Sequence, residues 1–181
     1  MKTDKVSGWL GTTRFLTLLA LVVWVGGLAF LGIAAPAMFK VSRPMGPLMV
    51  GAILKNFTPV MYICGVLLMV GWLAEMKLPK PGRAGLLWKL QGACSVVMLL
   101  LALYLGMGLM PRITALQPLA IRQGDAEAKW PSPEKKAEFD AAHKGYTSAT
   151  KLVVFLGLGT LFVFALRTTV AVPYKLEADA I

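Results

Sequence analysis

His143 is the only histidine in the chain. On a helix, steps of three and four residues align Phe139, His143, Tyr146, Thr150, Val153, Gly157 and Thr160 in one stripe. Imidazole, phenol and hydroxyl groups in one line could bind a ligand or pass a proton between helices. The candidate polar site is therefore His143, Tyr146 and Thr150. The plainer reading, which we take as the expectation, is an exposed or interfacial histidine that ties its helix to a neighbour. A single histidine also limits the cofactors. Bis-histidine haem within one chain is impossible, and neither a three-histidine nor a His-Glu-x-x-His zinc site can form. No cofactor is expected.

Cys64 and Cys94 are the two cysteines, and they do not form a CxxC pair. With Met61, Met69 and Met98 they supply thiolate and thioether groups, the soft ligands that favour Cu(I). Methionine in an apolar helix is more often filler, so Cys64, Cys94, Met61 and Met98 stand as Cu(I) candidates with core packing as the expectation. There is no G-x-S-x-G elbow and no P-loop. Asp125, Glu127, Glu134, Glu138 and Asp140 are interspersed with lysines and read as solvated charge rather than a catalytic pair. The chain is not expected to be an enzyme.

The elements that would hold these residues are long and apolar. The chain has 181 residues, 57% hydrophobic and 15% charged, against about 45–50% and about 25% in ordinary soluble domains. The mean hydropathy of +0.67 leans the same way. A spanning helix needs about 20 apolar residues. Four segments qualify: 15–39, 56–74, 90–111 and 150–172, the last requiring Arg167 to snorkel to the headgroups. Their backbone polar groups must be paired internally, so the segments should be helices. The expected fold is all-α, an integral membrane four-helix bundle forming a single domain over 1–181. The first apolar run is too long for a signal-peptide core and is expected to stay as a span. No acidic residue lies inside the four runs; Glu75 and Lys89 stand only at their ends.

Between the third and fourth runs, residues 112–131 read as the one sizeable hydrophilic loop. Ser132-Pro133-Glu134 then reads as a helix start: a capping hydroxyl, a proline suited to the first helical position, and an acid at the positive dipole end. The fourth helix is thus expected to begin outside the bilayer and be partly extramembrane. Close packing is expected at Gly26, Gly27, Gly32, Gly65, Gly71, Gly106, Gly108, Gly157 and Gly159. The group Lys77, Lys80, Arg83 and Lys89 favours cytoplasmic N- and C-termini, with Trp9, Trp72 and Trp88 as an interfacial belt on that side. The net charge of +10 is spread over all loops, which fits lipid contact and topology and not nucleic acid.

Two stretches carry a family resemblance. One is Trp24-Val25-Gly26-Gly27-Leu28-Ala29-Phe30, followed by Phe39. The other is Phe139-Asp140-Ala141-Ala142-His143-Lys144, followed by Tyr146 and Ser148. Together they resemble the uncharacterised four-helix bacterial membrane family related to human transmembrane protein 205, with Lys144 where an arginine is usual. The resemblance implies that Trp24, Gly26, Gly27, Phe30, Phe39 and Phe139 are packing residues of a bacterial inner-membrane protein. The first stretch is also similar to the copper-resistance D membrane family and to membrane-bound protoporphyrinogen oxidase. Both tend to place a histidine before the tryptophan, where this chain has Thr17, Leu18, Leu19 and Ala20, which argues against haem handling or copper import. The favoured expectation is an accessory or interaction subunit, with the lipid bilayer and other membrane subunits as partners. The alternative is a small permease or metal- or small-molecule-binding protein built on the His143 stripe.

Overall fold

The computed structural model describes residues 2–41, 45–75, 85–118 and 130–170. Among these, four helical spans are long and apolar enough to cross a membrane: Gly8–Val41, Leu48–Glu75, Leu86–Leu116 and Pro133–Arg167. The shortest has 28 residues, about 42 Å at 1.5 Å per residue, against a hydrocarbon core of about 30 Å.

The first helix, α1, runs Lys2–Val41 and the second, α2, Met45–Glu75. Both carry a proline inside, Pro36 and Pro59. The apolar residues Leu48 to Leu54 start α2 well before the expected 56. The third span has three parts: α3 (Leu86–Leu103), a π-helical stretch Tyr104–Leu109, and α4 (Met110–Leu116). Pro111 has no N–H to donate and its ring crowds the carbonyl four residues back, that of Met107. The helix widens there, and Met110 N–H bonds back to the Leu105 carbonyl, five residues away.

The hydrophilic loop expected at 112–131 therefore begins later. Residues up to Leu116 are helical because Met110 and Ile113 pack on the core and Arg112 pairs with Glu138 at 2.8 Å. Positions 119–129 of that loop lie outside the described residues.

The last helix, α5, runs Pro133–Val170. Ser132 caps it as expected: the Lys135 N–H donates to the Ser132 hydroxyl at 3.3 Å, and the Lys136 N–H to its carbonyl at 3.2 Å.

The helices alternate up and down, and contacts join α1 to α2, α2 to α3, α3 to α5 and α5 back to α1. The result is a square ring with α2 and α5 at opposite corners. Leu21, Trp24, Met61, Leu68, Met98, Leu105 and Val153 fill its axis with almost no exposed area. Glycines set the spacing. A Cβ on Gly27 would strike Phe57, one on Gly71 Thr17, one on Gly92 Trp72, one on Gly106 Tyr62, and one on Gly157 Val25. Such close approach gives dispersion contact where lipid supplies no hydrophobic drive.

The expected packing set is only partly inside. Trp24 and Gly27 face the bundle. Gly26, Gly32 and Gly159 meet nothing, and Phe30 is 63% exposed. They are corrections to the expectation. The helical step explains them: at 100° per residue, Gly26 stands about 200° round α1 from Trp24.

Candidate functional site

The stripe anchored on His143 divides. His143 is exposed and stacks on Phe139 with centroids 5.8 Å apart, and Phe139 leans on Trp130 at 4.9 Å. Tyr146 is buried in the core cluster, where Tyr62 also packs. The Thr150 hydroxyl donates to the Tyr146 carbonyl at 2.9 Å and is thus occupied locally. The three side chains do not converge on a common volume. Met61, Cys64 and Met98 share one core cluster, whereas Cys94 is only partly buried and lies outside that cluster. Met98 Sδ lies 3.8 Å from the Thr160 hydroxyl oxygen. Among the described residues, no three His, Cys, Asp or Glu side chains gather as a metal site.

The chemistry-bearing residues that do gather are at the face where α1 begins and α5 ends. Arg167 does not snorkel to the surface. Its side chain is 7% exposed and donates from Nη2 to Glu75 Oε2. Glu75 Oε1 faces Arg14 Nε at 3.7 Å, with the Arg14 side chain 28% exposed. The contact crosses the ring diagonal from α5 to α2, with α1 closing the third side. Arg14 immediately precedes its apolar run, Glu75 ends its own, and Arg167 follows Leu166. The cluster thus sits at the edge of the hydrocarbon, where a lone charge would reach for water and a paired one can stay inside.

Polar groups continue inward from this cluster. Thr13, Thr17, Gln91, Ser95 and Thr160 are all buried. Each hydroxyl donates to the carbonyl one turn earlier: Thr13 to Trp9, Thr17 to Thr13, Ser95 to Gln91, Thr160 to Leu156. That is the usual way to hide a hydroxyl in a helix. Trp72 stacks on Trp88 at 4.7 Å and donates to the Trp88 carbonyl at 3.1 Å. These two half-buried tryptophans therefore brace the α2–α3 contact, and Trp9 of the expected three is strongly exposed. Among the described residues, five buried side-chain polar atoms keep no hydrogen-bond partner: Arg14 Nε, Arg167 Nη1, Gln91 Oε1, Trp24 Nε1 and Trp88 Nε1.

The triad is not evident from the sequence when each charge, read singly, marks only a span boundary. The signal was available: in an up-and-down chain, the start of the first span and the ends of the second and fourth share one face.

The fold and its apolar faces define a multi-pass helical membrane protein. Residues 19–121 match the family described as Domain of unknown function (DUF4149), and the chain belongs to that family. The match takes in Trp24 to Phe30 and Glu75 but not Arg14, His143 or Arg167. No curated protein and no solved structure matches the chain.

Proposed function

We propose that the chain is a non-catalytic subunit that works by packing against other membrane proteins in a bacterial inner membrane, its two termini in the cytoplasm. One observation carries this reading: Gly26 and Gly32 on α1 and Gly159 on α5 face away from the bundle with open space around them. Glycine inside a helix costs about 0.5–1 kcal/mol relative to alanine. The inward glycines recover this through close contact within the chain, and the outward ones have no such return until another helix lies against them. Exposed Phe30, Ile33, Phe155 and Phe162 supply apolar area beside them. The Trp24–Phe30 and Phe139–Lys144 stretches support kinship with the family related to transmembrane protein 205, and the former a more distant one with copper-resistance D.

The test is the mass of the full chain extracted gently from its native membrane. The expected result is a particle well above the 19.5 kDa single chain that falls apart when Gly26→Leu and Gly159→Leu are combined, with helix content unchanged. A wild-type chain that runs alone would overturn the reading.

A further inference from the structure

We propose that Arg14 and Arg167, bridged by Glu75, form a site for a phosphate group at the edge of the membrane. The charge count comes first. Two guanidinium groups face one carboxylate, so the cluster carries one positive charge in excess. The carboxylate binds Arg167 through Oε2, while Oε1 stands 3.7 Å from Arg14 Nε, beyond hydrogen-bond reach. In this geometry Glu75 leaves a guanidinium nitrogen unmet on each arginine. Arg167 Nη1 and Arg14 Nε are nevertheless buried and without hydrogen-bond partners. A guanidinium carries five donors in a rigid fork and cannot give up its proton, so these donors are satisfied only by acceptor oxygens.

A group with several acceptor oxygens and a negative charge meets both demands, and phosphate suits the fork geometry. The place agrees with the chemistry. The cluster lies where the apolar runs of α1, α2 and α5 stop, which is headgroup depth. Arg14, with 28% of its side chain exposed, is the open side by which such a group enters. Trp24 Nε1 and Gln91 Oε1 belong to deeper turns of α1 and α3 and are not part of this site.

The experiment uses the delipidated full chain in neutral detergent and reads lipid adducts by native mass spectrometry. Phosphatidylglycerol is expected to be retained over phosphatidylcholine. Arg14→Gln should weaken that retention about tenfold, the loss of one charge-assisted contact. Lys40→Gln, which removes a charge at the opposite end of α1, should leave it unchanged. Millimolar inorganic phosphate added as a competitor separates the two sources. Displacement of the lipid shows a site open to free phosphate; persistence shows a lipid headgroup site. Should Arg14→Gln not fold, Arg14→Lys keeps the charge without the fork and should lose part of the preference. Equal retention of the two lipids, an Arg14→Lys or Arg14→Gln variant that binds as the wild type does, or a Lys40→Gln loss as large as that of Arg14→Gln would each overturn the site.

Discussion

Removing either member of the Arg167–Glu75 pair should strongly destabilise the bundle, and removing Arg14 should not. Arg167 is 7% and Glu75 10% exposed at the side chain. Deleting one partner from a pair so enclosed strands the other charge, which costs about 3–5 kcal/mol. Arg14 is 28% exposed and stands 3.7 Å from the carboxylate, so its loss should cost about 1 kcal/mol or less, as for pairs open to water. Arg167→Gln and Glu75→Gln should therefore each lower stability severalfold more than Arg14→Gln. The double variant Glu75→Leu with Arg167→Met should recover most of the loss, because the one charge left in the cluster is that of Arg14, whose side chain is 28% exposed and reaches water. The assay is reversible unfolding in mixed micelles of increasing denaturing-detergent fraction, followed by circular dichroism. Added salt should change the Arg167→Gln penalty little, since buried pairs are weakly screened. An Arg167→Gln cost below about 1 kcal/mol, or a double variant no better than either single one, would refute the account of a buried pair.

Gly157→Val should cost about 1–3 kcal/mol through collision with Val25, and Val25→Ala should relieve part of it in the same unfolding assay. Ser132→Ala removes the hydroxyl that receives the Lys135 N–H and should cost about 1 kcal/mol, seen as faster amide exchange confined to the first turn of α5. His143→Ala should change stability by no more than about 0.5 kcal/mol, because the imidazole is exposed and touches only Phe139 among the rings near it; a larger loss would restore the case for a built site there.

The spans were legible because hydrocarbon admits only long apolar helices, and residues such as Arg14, Glu75 and Arg167 marked their limits. The start of α5 was legible too, since Ser132, Pro133 and Glu134 state a helix beginning in three consecutive residues. The extension of the third span to Leu116 was not. It follows from Met110 and Ile113 packing on the core, contacts between elements that local pattern does not encode. The same holds for the site. An all-round apolar helix hides which face is inward, so Gly27 and Gly26 look alike until α2 brings Phe57 against one of them. The His143 stripe obeyed helical geometry, yet its members separated because His143 projects beyond the packed core while Tyr146 lies within it.

The diagonal clasp between α5 and α2 also imposes an order on synthesis. Glu75 enters the bilayer edge when only Arg14 has been made, and its second oxygen waits for a residue ninety-two positions later in the chain. A chain ending before Arg167 would leave Glu75 with Arg14 alone, 3.7 Å away. The last turns of α5 thus close the contact that the end of α2 leaves open.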